Sequence, residues 1–129
     1  MNNAGVMPAE ARVDEMNWAA LADLWRTNVT SAVICSREAV RRMSNKNGGQ
    51  GGSIVNVSSV SGLGGDWNMG IYNAAKGAVT NLTRSMAMDH AADGLRVNAV
   101  CPSLTRSELT ADMFDNEALM AKFRERIPL

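Results

Sequence analysis

Cysteine is scarce in this 129-residue sequence: Cys35 and Cys101 are the only two, far apart and without a CxxC pair. Histidine is scarcer still, with His90 alone. Metal and redox chemistry therefore lack a ligand set, and no metal site is expected. Both thiols sit in apolar contexts and are expected to be reduced core residues, which suits a cytoplasmic protein. His90, near a helix end, is expected in solvent. A surplus of either charge is also missing, because 13 basic residues balance 13 acidic ones. That gives no pull toward nucleic acid or an anionic membrane. Arg41, Arg42 and Lys46 form the only basic group, where a helix should end and its dipole favours cations. No apolar run approaches the roughly 18 residues of a membrane span. The opening "MNNAGVMPAE" has neither the charged start nor the apolar core of a signal peptide. No internal repeat is visible.

What remains is an ordinary globular composition, 46% hydrophobic and 20% charged. Residues 14–26 place Trp18, Leu21, Leu24 and Trp25 on one helical face, with Asp14 and Glu15 suited to a helix start. Both tryptophans are expected in the core or an interface. A second helix over 29–44 repeats apolar residues at Val29, Ala32, Val33, Ala39, Val40 and Met43, and "NKNGGQGG" (residues 45–52) breaks it. "SIVNVSS" (53–59) reads as a strand. A glycine-rich loop leads to a long helix over 69–92, which Asp93-Gly94 stops. "LRVNAVC" (95–101) is the next strand, ended by Pro102, and residues 103–129 read as mostly helical.

Helices alternating with strands indicate a parallel α/β sheet. Two strands leave edges and helix faces uncovered, so three or more strands are expected beyond those visible.

"YNAAK" raises the chemical question. On a helix, Tyr72 and Lys76 lie one turn apart on the same face. Ser59 ends a strand 13 residues earlier, at the edge where open α/β sheets bind ligands. "NNAG" (residues 2–5) has the look of a strand-end turn whose small residues let a ligand approach the backbone. Each residue alone has a plain structural reading. Tyr72 and Lys76 would be a surface pair, Ser59 a strand-end cap, Asn28 a helix-joint residue bonding backbone, and Trp67 loop core or a substrate-facing wall.

Together, "NNAG", Ser59, "YNAAK" and "VNAVCPS" resemble the short-chain dehydrogenase/reductase family, nearest to its 3-oxoacyl-carrier-protein reductases and hydroxysteroid dehydrogenases. The resemblance covers essentially the whole chain. It implies a partial Rossmann-type, doubly wound parallel sheet over residues 1–129. This would be the C-terminal half, with the first strands and the last strand missing. It implies an NAD- or NADP-dependent oxidoreductase acting on a small secondary alcohol or ketone. Tyr72 would exchange the proton, Ser59 would hold the substrate oxygen, and Lys76 would lower the phenol's pKa and bond the nicotinamide ribose. Asn28 would hold a water linking Lys76 to solvent. Asn3, Ala4, Gly5, Pro102, Thr105 and Ser107 would line the cofactor. Moving a phenol from about 10 to near 7 needs roughly 4 kcal/mol. A unit charge at ~4 Å supplies on the order of that at an effective dielectric near 20. The resemblance also implies a homodimer or homotetramer through the helices at 29–44 and 69–92.

The chain departs from the family's pattern in three ways. Ser103 stands where the family has glycine, Ser107 where it usually has threonine, and no GxxxGxG phosphate turn occurs. The expectation is an internal fragment that binds cofactor poorly alone. Two other readings are a non-catalytic dimerisation module and a hydrolase built on Ser59 and Lys76, for which no nucleophile elbow surrounds the serine.

Overall fold

The computed structural model describes residues 1–126. Helix α1 (Trp18–Trp25) starts where Asn17 accepts hydrogen bonds from the amides of Ala19 and Ala20. That N-cap, rather than Asp14 and Glu15, sets the start. Residues Val13–Glu15 form a separate 3₁₀ turn. The chain then runs without a break through a π-helical turn, Arg26–Thr30, into α2 (Ser31–Met43). Here the amide of Ser31 reaches the carbonyl of Arg26, five residues back.

Strand β1 (Gly52–Val57) follows, then a loop, then α3 (Gly70–His90) and β2 (Leu95–Val100). The two strands are parallel, in register from Gly52 opposite Leu95 to Val57 opposite Val100. On the other side of β1, Asn2 forms a single parallel bridge to Asn56. The order across the sheet is therefore Asn2, β1, β2. Gly94, with φ of 78°, makes the turn from α3 into β2, a conformation that side chains resist.

Helices α2 and α3 lie against one face of the sheet. Ile54, Val97 and Met86 form the core there, with Ala39, Val40, Met43, Leu82 and Ala87 packed around them. On the opposite face, Arg96, Asn98 and Val100 of β2 are exposed. Among the described residues the sheet is covered on one side only. The helical expectation for 103–129 is met by the short α4 (Ala111–Phe114) and by α5 (Glu117–Arg126). Residues 127–129 lie outside the described residues.

The core placement of Trp18, Trp25, Cys35 and Cys101 and the solvent placement of His90 need correction. Trp18 is 80% exposed, because it opens α1 on its outer side, and of that face only Leu24 is buried. Trp25 is also exposed. Cys35 is exposed on α2 rather than in the core, and Cys101 is half-buried; both are free thiols. His90 is half-buried and faces Asp93, with Nδ1 3.2 Å from the carboxylate. Among the described residues no helix is long and apolar enough to cross a membrane.

Candidate active site

Strand β1 sets the site by parity. Ile54, Asn56 and Ser58 point to the helical layer, where all three are buried. On α3, Lys76, Thr80 and Thr83 share one face and are buried opposite them. Buried polar groups must find partners, and these find one another. Asn56 donates through Nδ2 to Thr83 Oγ1 (2.9 Å) and accepts from Asn2 Nδ2 (2.8 Å). Asn2 Nδ2 also donates to Ser36 Oγ of α2 (3.1 Å). Ser58 Oγ donates to the Lys76 carbonyl (2.9 Å) and lies 2.7 Å from Thr80 Oγ1. This polar seam fixes the rotation of α3 against the sheet.

The seam brings Lys76 to the end of β1, where Nζ donates to the Val57 carbonyl at 3.1 Å. The Lys76 side chain passes over Tyr72, with Nζ 5.7 Å from the ring centroid. Ser59 is buried just past β1; its Oγ accepts from the amide of Ser61 (3.2 Å) and acts on the Tyr72 phenol, holding its pKa down against burial. Gly62 lets the loop close over the helix. A Cβ there would stand 2.7 Å from the Lys76 carbonyl carbon and oxygen.

Asn28 is 2% exposed, and the π-helical turn points it at the segment after NNAG. Its Oδ1 accepts from the amide of Val6 (2.8 Å), and its Nδ2 donates to the Val6 carbonyl (2.9 Å). This is the helix-joint role, with both ends of the amide engaged. Together with the Asn2 bridge it holds Gly5 beside the site. A Cβ at Gly5 would lie 3.6 Å from Lys76 Nζ and 3.6 Å from Asn28 Oδ1. Asn3 and Ala4, with Asn28, line a cavity of about 220 Å³ on that side.

Pro102 is held at the same edge, its carbonyl accepting from the amide of Val60 at 3.0 Å. Thr105 and Ser107 are exposed and turned to their own segment. Thr105 Oγ1 donates to the Ser103 carbonyl, and Ser107 is bound by Thr110. The structure thus brings together Gly5, Asn28, Ser59, Tyr72 and Lys76, with Pro102 beside them, and leaves Thr105 and Ser107 outside. Trp67 is 92% exposed, which rules out loop core; it lines a cavity of about 450 Å³ with Arg12, Val13 and Asp66.

The electrostatics correct one expectation. The Tyr72 phenol is pushed above its ordinary value: burial raises it, the bond from Ser59 works against that, and the Asp66 carboxylate adds to the rise. Lys76 is pushed down by burial, against an opposing pull from Cys101. Its ammonium sits over the ring and on the Val57 carbonyl.

Sequence reasoning placed Asn2 in the NNAG turn and Ser58 at the strand's end without giving either a partner, and missed Asn56, Thr80 and Thr83. Two signals mark them: polar residues on the inward parity of an apolar strand, and hydroxyls four and seven residues after Lys76.

A family model described as enoyl-(acyl carrier protein) reductase matches residues 1–129. A meso-2,3-butanediol dehydrogenase of Serratia marcescens is 44% identical over all of this chain and 49% of its own length. An NADP-dependent (R)-specific alcohol dehydrogenase of Lentilactobacillus kefiri is 34% identical, over 100% of this chain and 50% of its own. Among solved structures, a 4-hydroxyisoleucine dehydrogenase complexed with NADH superposes with a TM-score of 0.90 at 33% identity, covering 99% of this chain and 51% of that one. The chain thus spans about half the length of the relatives it matches. Its two parallel strands and their helices correspond to the C-terminal half of a Rossmann-type fold.

Proposed function

The chain belongs to the short-chain dehydrogenase/reductase family, and on that premise we propose that it carries the catalytic half of an NAD- or NADP-dependent oxidoreductase. The reaction interconverts a small secondary alcohol and a ketone. The observation that supports this most is the meeting of Ser59 and Lys76 on Tyr72, at the carboxyl edge of parallel strands.

In reduction, Tyr72 gives its phenolic proton to the substrate oxygen; in oxidation it takes that proton back. Ser59, held by the Ser61 amide, keeps its own O–H to donate to the same oxygen. Lys76 is fixed by Val57, and its remaining N–H groups face the Gly5 backbone, where a ribose would lie. Asn28 positions that backbone through Val6. The residues fit a nicotinamide ribose, because Gly5 has no side chain to occupy the space between Lys76 and Asn28. Asn3 and Ala4 extend this wall and Pro102 stands at the same sheet edge, while Thr105 and Ser107 would have to turn inward to reach the cofactor. When bound, the nicotinamide supplies or accepts the hydride.

Residues 1–129 constitute part of a Rossmann domain in this reading. Val33 and Ile34, exposed on α2, support a homodimer or homotetramer through the helices at 29–44 and 69–92. The free thiols fit a cytoplasmic location. The test is ketone reduction by NADH or NADPH in a version carrying a glycine-rich phosphate turn upstream. Tyr72→Phe should lower the rate by about 10²- to 10⁴-fold. An unchanged rate would remove Tyr72 from the reaction, and no ketone reduction at all would leave a binding module as the function.

A further inference from the structure

The loop from Ser59 to α3 has no apolar anchor at its middle. Leu63 and Trp67 are exposed, and a Cβ on Gly64 or Gly65 would meet nothing within 4 Å. Polar ties hold it instead. At the serine end the Val60 amide donates to the Pro102 carbonyl (3.0 Å), and the Leu63 amide to the Val60 carbonyl (2.9 Å). At the helix end the Asn73 amide donates to the Met69 carbonyl (2.8 Å). The Asn68 carbonyl is tied outward, to the Ala11 amide (2.9 Å). Asp66 joins the two ends. Its Oδ2 accepts from the Ser61 hydroxyl, and its carbonyl accepts from Asn73 Nδ2 at 3.1 Å. Asn73 follows Tyr72 directly, and its Oδ1 is buried without a hydrogen-bond partner among the described residues. That amide is therefore held for its donor, and the tie to Asp66 is what the donor makes.

Ser61 carries the consequence to the site. Its hydroxyl is committed to Asp66, while its amide donates to Ser59 Oγ at 3.2 Å. A serine hydroxyl has three staggered positions. The Ser61 amide selects the one in which Oγ accepts along the loop and the O–H is left to donate. A bond between residues two apart is local and weak by itself, so it lasts only while Ser61 keeps its orientation. Resting on the reading of Ser59 as a donor to the substrate oxygen, we propose that Asp66 is a positioning residue: through Ser61 it sets the Ser59 hydroxyl, and through Asn73 it fastens that setting to the helix that bears Tyr72. The side chain is needed as a hydrogen-bond acceptor, so an amide in its place serves the same purpose.

Amide hydrogen exchange of the 129-residue chain tests the tie without cofactor or turnover. In Asp66→Ala the Ser61 amide should exchange at least about tenfold faster, while the amides of β1 and α3 keep the parent's rates. Asp66→Asn should leave the Ser61 amide at the parent's rate. An unchanged Ser61 amide in Asp66→Ala overturns the proposal. So does a uniform acceleration through β1 and α3, since Asp66 would then prop the whole fold, and so does an Asp66→Asn as fast as Asp66→Ala.

Turnover is read in the version that carries the upstream phosphate turn. Asp66→Ala should lower kcat about tenfold with KM steady, and Asp66→Asn should restore it. On a Ser59→Ala background Asp66→Ala should remove nothing further, because its effect runs through the Ser59 hydroxyl. A second full loss on that background overturns the proposal. Full activity of Tyr72→Phe would instead remove the catalytic reading, and would leave the exchange result as it stands.

Discussion

The two walls of the site are built differently. The first, residues 2–6, is fastened to the rest of the molecule at both ends. The Asn2 amide and carbonyl pair with Val55 and Val57, its side chain reaches Asn56 and Ser36, and Val6 is clasped by Asn28. The second, beyond Pro102, fastens to itself. Thr110 Oγ1 donates to the Thr105 carbonyl at 2.6 Å and accepts from the Ser107 amide at 3.1 Å, and Arg106 stacks 4.3 Å from the centre of Phe114. The first wall is a preformed surface. The second is a compact unit whose hydrogen bonds are internal to it. Rigidity on one side and independence on the other suit a site that must hold one molecule and admit another.

Hydrogen exchange measures that contrast most directly. Amides of β1 and β2 should open only with global unfolding, on the order of 5 kcal/mol or more. Those of Thr110, Asn116 and Met120 should open locally, at close to zero. Equal protection in the two regions would erase the distinction. Asn28→Ala comes next. It leaves the Val6 amide and carbonyl without partners and should cost about 2 to 3 kcal/mol in chemical denaturation. A cost as small as that of an exposed substitution would mean the first wall does not depend on its clasp. Thr110→Ala on the second wall should cost no more than about 1 kcal/mol. A larger loss would show that the self-tied unit braces the whole chain.

Much of this was legible in the residues. The strands expected at 53–59 and 95–101 are found at Gly52–Val57 and Leu95–Val100, and the helix expected at 69–92 at Gly70–His90. Ladder pairing and apolar periodicity are local, so they mark themselves in sequence. The meeting of Ser59, Tyr72 and Lys76 was legible because strand end, glycine-rich loop and helical spacing constrain it. Burial was not. Trp18 and Cys35 lie on the outside because a helix's inward face depends on its rotation against its neighbours, which for α2 is marked by Ser36 bonding Asn2, a contact from outside the helix. The phenol's upward shift was hidden for a similar reason. The spacing of Tyr72 and Lys76 says the ammonium is near, but not that burial of the phenol outweighs it.

The π-helical turn at Arg26–Thr30 carries a last consequence. It is one residue longer than the α turn it replaces, and that residue is taken up locally as a bulge, which leaves α1 and α2 in phase. Asn28 sits in the bulge and reaches Val6 from it. Deleting a single codon there would close the rod into a regular α ladder and take away the local widening that aims this side chain.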